Sequence, residues 1–186
     1  QLTDAGVANL GLKRNAQGAV IHAAMQLKKL DMSGTNITGS TLDTLSRDIE
    51  ELILQDCRWL TDAGVANLGL KRNAQSGIIR VAMQLLGLKR NAQSEVTHKA
   101  MQLKKLFMSS AKITGSTLDT LSRDIEELSL HYCRGLTDAG VANLGLKRNA
   151  QGGVIHAAMQ LKKLDMSETH ITGSTLDTLS RDIEEL

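Results

Sequence analysis

The side chains to test first for chemistry are two cysteines and five histidines, scattered over a chain of 186 residues. A thiolate becomes nucleophilic when a nearby cation or helix N-terminus lowers its pKa. Zinc takes cysteines and histidines in closely spaced pairs, and a disulfide needs Cα atoms within about 7 Å. Cys57 and Cys133 each stand alone, in "LQDCRWLTDAG" and "LHYCRGLTDAG", with Arg58 and Arg134 directly after them. His22, His98, His131, His156 and His170 form no i, i+4 pair, and the chain has no phosphate-binding loop, dinucleotide fingerprint or nucleophile elbow. His22 and His156 hold equivalent places in duplicated segments, so they record duplication rather than convergence on a site. The expectation is no enzyme, no catalytic residue, no metal ligand and no cofactor.

What the cysteines do depends on the elements that position them, and repetition dominates those. "LTDAGVANLGLKRNAQ" begins at Leu2, Leu60 and Leu136, and "ITGSTLDTLSRDIEEL" begins at Ile37, Ile113 and Ile171. The LTDAG series steps by 58 residues and then by 76, an excess of 18. The excess is a tandem copy: "LGLKRNAQSGIIRVAMQL" is followed at once by "LGLKRNAQSEVTHKAMQL", together residues 68–103. Within the repeats a shorter pattern recurs, L-x-x-L-x-L-x-x-[C/T/A]. One kind is Ile49, Leu52, Leu54, Cys57, with a sister at Ile125, Leu128, Leu130, Cys133. The other is Leu27, Leu30, Met32, Thr35, with sisters starting at Leu103 and Leu161. The L-x-L alternation has the period of a strand with one buried face. "LTDAG" and "ITGST" then offer Thr, Asp or Ser as helix N-caps. Strand, turn, helix and return, repeated, make a solenoid with parallel strands, its core including Leu52, Leu54, Leu128 and Leu130.

These segments resemble leucine-rich repeats, above all the cysteine-containing subfamily found in F-box substrate receptors. The family pattern L-x-x-L-x-L-x-x-C-x-x-L-T-D-x-G is followed by Ile49 to Gly64 and by Ile125 to Gly140. The resemblance implies an α/β solenoid: a curved parallel sheet on the concave side and helices on the convex side. In that pattern the cysteine lies where the strand turns out of the sheet. Cys57 and Cys133 then read as buried structural thiols in separate coils, too far apart to pair. Residues 1–186 read as one array, a piece of a longer solenoid that starts at Gln1 rather than Met. Neither end shows a polar capping repeat, so marginal stability or self-association through uncapped ends is expected. The "GLKRNAQ" stretches exceed the family pattern and read as extended convex-side helix or loop. For the tandem copy two readings compete. Eighteen residues are five turns of helix and keep a helix in phase; alternatively Met83, Leu86, Leu88 and Asn91 start an extra coil. The helical excursion is preferred, because a coil aligned on "MQL" puts Arg90 at a core position.

Twenty-two basic against 20 acidic side chains leave a net charge of +2, which argues against a nucleic-acid surface. No apolar run approaches the length of a membrane span, and no signal-like segment opens the chain. Neither a membrane nor a nucleic acid is expected as partner, and a cytoplasmic or nuclear setting is. The surface positions between the leucines remain. The third position of the strand pattern reads Lys29, Glu51, Lys105, Glu127, Lys163, Glu185, opposite charges alternating from coil to coil. The fifth reads Asp31, Ile53, Phe107, Ser129, Asp165, and there the near-identical repeats diverge. With Gln55, His131 and Tyr132 at the next outward positions and Trp59 at the edge, an exposed mixed aromatic and polar face is expected. Asp31, Ile53, Gln55, Trp59, Phe107, His131, Tyr132 and Asp165 are its candidate protein-binding residues. The resemblance further implies a substrate receptor of an SCF-type ubiquitin ligase. Two other readings stay open: a surface or immune-type recognition repeat, and a structural repeat with no specific ligand.

Overall fold

The computed structural model describes residues 2–17, 20–69, 71–72, 96–98, 100–148 and 150–186. Three short α-helices are present there: α1 (Asp4–Ala8), α2 (Asp62–Ala66) and α3 (Asp138–Ala142). Eleven strands accompany them: β1 (Lys13–Arg14), β2 (Val20–His22), β3 (Lys29–Asp31), β4 (Glu51–Ile53), β5 (Lys71–Arg72), β6 (Val96–His98), β7 (Lys105–Phe107), β8 (Glu127–Ser129), β9 (Lys147–Arg148), β10 (Val154–His156) and β11 (Lys163–Asp165).

One parallel sheet organises the chain, in the order β3-β4-β7-β8-β11. Its register is uninterrupted: Leu30, Leu52, Leu106, Leu128 and Leu164 form one rung, and Asp31, Ile53, Phe107, Ser129 and Asp165 the next. A parallel bridge from Lys163 to Glu185 extends the ladder by one coil. Leu52, Leu54, Leu128 and Leu130 are all buried, and so are Met32, Met108, Ile37 and Ile113. The core is thus a stack of aliphatic layers with no aromatic among its buried members. Layers of similar volume suit a chain that repeats itself, because each coil must fit both its neighbours.

Each strand ends where the backbone three residues later enters the left-handed region, at Gly34, Asp56, Ser110, Tyr132 and Glu168, with φ between 55° and 66°. Only one of the five is glycine, although that conformation costs other residues about 1–2 kcal/mol. The turn throws the chain out of the sheet, and Cys57 and Cys133 follow, fully buried. They are free thiols. The Cys57 Sγ donates to the Met32 carbonyl of the preceding coil at 3.2 Å, and the Cys133 Sγ donates to the Met108 carbonyl at 3.0 Å. Burial pushes the Cys133 thiol up to about 11, so it stays protonated and keeps its donor at neutral pH.

The return path differs from the sequence reading in two places. The "LTDAG" segments do start helices, and Thr61 and Thr137 accept from the backbone N–H of Gly64 and Gly140. The "ITGST" segments do not start α-helices: each leads only to a single 3-10 turn, at Leu42–Thr44, Leu118–Thr120 and Leu176–Thr178. Their backbone N–H groups serve a neighbouring coil instead. The Asp62 carboxylate accepts from the N–H of Thr114, Gly115 and Ser116 and from the Thr114 hydroxyl, at 2.9–3.1 Å. Asp4 holds Thr38, Gly39 and Ser40 in the same way, and Asp138 holds Thr172 and Gly173. The aspartate that follows each N-cap is therefore a staple between coils.

The described parts of the "GLKRNAQ" stretches are not helical either. β1 pairs antiparallel with β2, β9 with β10 and β5 with β6. Each is a two-stranded hairpin with a bulged register between its basic pair and a Val-x-His strand. The middle hairpin draws its first strand from the first tandem copy and its second strand from the second. Lys71 pairs with His98 and Arg72 with Val96, as Lys13 pairs with His22 and Arg14 with Val20. The 18 residues that the duplication adds therefore fall, along the chain, between β5 and β6. Residues 73–95, with the choice between helix and extra coil, lie outside the described residues. β4 nevertheless pairs directly with β7, so no further strand stands between them in the sheet.

Candidate protein-binding face

The strands present their third and fifth positions on the outer side of the sheet. At the third, charges alternate and close into pairs: Lys29–Glu51 at 2.6 Å, Lys105–Glu127 at 2.8 Å and Lys163–Glu185 at 2.8 Å. The hydrogen bond from Lys105 to Glu127 raises the pKa of that ammonium. A second ladder, not foreseen, runs one residue earlier. Lys28 meets Glu50 at 2.7 Å, and Glu126 sits between Lys162 at 2.7 Å and Lys104 at 3.7 Å. The Lys162 hydrogen bond pulls the Glu126 carboxyl below its ordinary value. The two ladders were equally readable in "LKKL" against "IEEL". Exposed pairs of this kind add little stability. Their effect here is to leave this flank of the sheet electrically quiet.

The fifth rung is where the face acquires character. Ile53 and Phe107 are ladder partners. Both are half-buried rather than exposed as expected, since each is covered in part by its neighbour across about 4.8 Å of strand spacing. Ser129 beside Phe107 is buried, while Asp31 and Asp165 at the two ends of the rung are exposed. Asp31 is capped by Ser33, whose hydroxyl and N–H hold its pKa down. Gln55 is exposed. Together with Phe107, Ser129, Lys163, Asp165 and Ser167 it borders an open depression of about 700 Å³.

A serine, a histidine and an aspartate meet at this depression, so their order matters. The Ser167 hydroxyl donates to Asp165 Oδ1 at 2.5 Å, and His131 Nδ1 lies 2.8 Å from the same hydroxyl. Ser129 adds a second donor to Asp165 at 3.2 Å. Burial pushes the Asp165 carboxyl up, but the bonds from Ser167 and Ser129 and the nearby His131 outweigh it and leave it below the usual carboxylate value. In an acyl-transfer triad the imidazole stands between hydroxyl and carboxylate. Here the serine does, with its proton committed to the carboxylate, so the arrangement fixes side chains and builds no activated nucleophile. Among the described residues no group of three or more His, Cys, Asp and Glu could hold a metal ion.

Two of the candidate residues lie off this face. Trp59, 55% exposed, sits just past the cysteine turn, and the Lys112 ammonium rests 4.4 Å from its ring centroid. Tyr132, 40% exposed, carries the Arg134 guanidinium over its ring at 4.2 Å. Both aromatics therefore belong to the rim where the coils leave the sheet. Ile53, Phe107, Gln55, His131 and Asp165 are the candidates gathered on the sheet side, and Asp31 stands at its far edge.

The leucine-rich-repeat family model matches residues 26–47, from ahead of β3 through its bend to just past the 3-10 turn at Leu42–Thr44. The fold is a leucine-rich-repeat solenoid. No curated protein matches the chain. Leucine-rich repeats generally mediate protein–protein interaction, and the family is one of non-enzymatic binding repeats. In the solenoid described here the sheet is regular, with leucine at the fourth position of every strand and a varied fifth.

Proposed function

We propose that this solenoid is a protein-binding module that engages its partner on the outer face of the sheet, centred on Phe107. The observation that carries the reading is the Ile53–Phe107 pair, the one apolar step in a rung otherwise made of Asp31, Ser129 and Asp165. It lies beside ladders whose charges are already paired and at a depression that sets Gln55, Asp165 and Ser167 beside Leu164, Met166 and Ile171. An aromatic anchor ringed by satisfied polar groups is the usual anatomy of a binding hot spot. The finer reading, a partner delivered to an SCF-type ubiquitin ligase in the cytoplasm or nucleus, is supported by the "CRWLTDAG" and "CRGLTDAG" resemblance. It would be tested by asking whether the full-length gene product co-purifies with the ligase adaptor.

The face itself is tested by affinity capture with the wild-type chain, Phe107→Ala and Lys28→Ala. Proteins captured by the wild type are expected to bind Phe107→Ala about 30-fold more weakly, the scale of a hot-spot loss of about 2 kcal/mol. Lys28→Ala should hold them within twofold, because Lys28 lies at the edge of the paired ladder. If Phe107→Ala captures its partners as well as Lys28→Ala does, the sheet face is not the binding surface.

A further inference from the structure

Two residues past the left-handed bend residue the chain carries Arg58, Lys112 and Arg134 in three successive coils of the sheet. Strands about 4.8 Å apart place these cations in a row about 10 Å long on the rim. Ion pairs among the described residues fall on Lys28, Lys29, Lys104, Lys105, Lys162 and Lys163, each with a glutamate. None includes a cation of the rim row. Two of the three are held by aromatic faces instead, Lys112 by Trp59 and Arg134 by Tyr132, with the Tyr132 hydroxyl accepting from Arg134 at 2.5 Å. Cation–π contact orients a charge without neutralising it. Tyr132 does this from a backbone with φ 58°, a conformation that disfavours a bulky side chain.

A groove opens within the row because the two cysteine coils differ two residues after the cysteine. Trp59 in one is Gly135 in the other. Without a side chain at Gly135, a cavity of about 470 Å³ remains, bordered by Arg58, Lys112, Tyr132, Arg134 and the backbone of Ile113. No acidic side chain lines it. Like charges aligned and uncompensated concentrate a positive potential, and the groove gives that potential a floor and an aromatic wall.

We infer that this rim groove binds an acidic peptide segment, its carboxylates bridging Arg58, Lys112 and Arg134. An extended chain rises about 3.3 Å per residue and presents every second side chain to one face. Carboxylates at i and i+2 then lie about 7 Å apart, within the span of the row. A nucleic acid fits less well: its affinity depends on many phosphate contacts, and the row is short on a chain of net charge +2. This site is separate from the sheet face and does not rest on the reading of Phe107.

The test is fluorescence anisotropy of the full chain at low salt, using a fluorescein-labelled synthetic peptide with aspartate at alternate positions among glycine and serine. Its asparagine counterpart and a short single-stranded oligonucleotide serve as comparisons. Arg134→Gln and Lys112→Gln are each expected to weaken the aspartate peptide at least tenfold. Lys28→Gln, which removes the same charge elsewhere, and Phe107→Ala should change it less than twofold. Thermal melts confirm that each variant is folded, and Tyr132→Asn should weaken binding without lowering the melt. The inference is overturned if Lys28→Gln or Phe107→Ala matches Arg134→Gln. It is overturned equally if the asparagine peptide binds as tightly, or if the oligonucleotide binds more tightly with the same dependence on Arg134.

Discussion

Replacing Gly64 by alanine is expected to lower stability by about 3 kcal/mol or more, while the same change at Gly6 is nearly neutral. The two glycines sit at the same place in identical "TDAGVAN" segments, in helices α2 and α1. A Cβ at Gly64 would stand 2.1 Å from the Thr38 carbonyl oxygen and 2.9 Å from the Gly39 Cα of the preceding coil. Those are backbone atoms and cannot rotate away, so the coils would have to separate, opening the aliphatic layers beneath. At Gly6 the nearest atom is Cδ1 of Leu2, at 2.7 Å, the end of a flexible side chain. The gain of about 1 kcal/mol in helix propensity offsets its small shift. Chemical denaturation of the two variants measures the difference. Gly140, whose Cβ would lie 2.0 Å from the Thr114 carbonyl oxygen, should behave as Gly64 does. Equal and small losses at Gly6 and Gly64 would mean that glycine does not set the distance between coils.

The second large effect is expected from the aspartate staple. Asp62→Ala removes the acceptor from three backbone N–H groups and one hydroxyl of the following coil. Hydrogen bonds to a charged acceptor count for more than neutral ones, but only the Gly115 bond is partly buried, the other three are exposed, and water can reach the freed donors. A loss of about 2–4 kcal/mol follows, with Asp62→Asn between the two. The same staple makes stability depend on pH. At Asp4 burial pushes the carboxyl up, yet the bonds from Thr38, Gly39 and Ser40 prevail and hold it below the ordinary 3.8. The N–H of Thr172, with its hydroxyl and Gly173, does the same for Asp138. A carboxylate depressed in the folded state contributes fully above its unfolded pKa of about 3.9, and the contribution is lost as pH falls through the folded value. Melting temperature should therefore hold from neutrality to about pH 4 and drop below it. The Asp4→Asn, Asp138→Asn double variant should show a shallower drop. An identical slope in wild type and variant would place the acid sensitivity elsewhere.

The strand ladder was legible in the sequence because its signal is local. Leu52 and Leu54 alternate within one short segment, and the same letters return in register at Leu128 and Leu130. The Lys–Glu rungs were legible for the same reason once the segments were aligned. The staples were not, because Asp62 reads as part of its own helix start and its partners lie 52 to 54 residues away. The Gly39–Gly64 contact is hidden likewise: nothing near either residue announces the other. The hairpins are hidden because "KRNAQ" lacks the alternation of a half-buried strand, and a bulged two-residue pairing leaves no period to find. Sequence position puts Ile53 and Phe107 in the right rung but says nothing of how far neighbours cover one another, and both are half-buried. Counting along the strand puts Tyr132 on the sheet face and Trp59 at its edge. The chain has already turned at the left-handed residue, and the cations that occupy their rings come from the position after the cysteine turn, which that count omitted.

The account depends most on one continuous sheet, with β4 against β7 across the tandem copy. Nuclear Overhauser contacts in the isotopically labelled chain test this directly. Strong contacts are predicted between Ile53 and Phe107 and between Leu52 and Leu106, matched by those between Phe107 and Ser129. If Ile53 and Leu52 instead contact residues of the 73–95 segment, or show no contact across to β7, the sheet is broken at its centre and the binding face built on it does not exist.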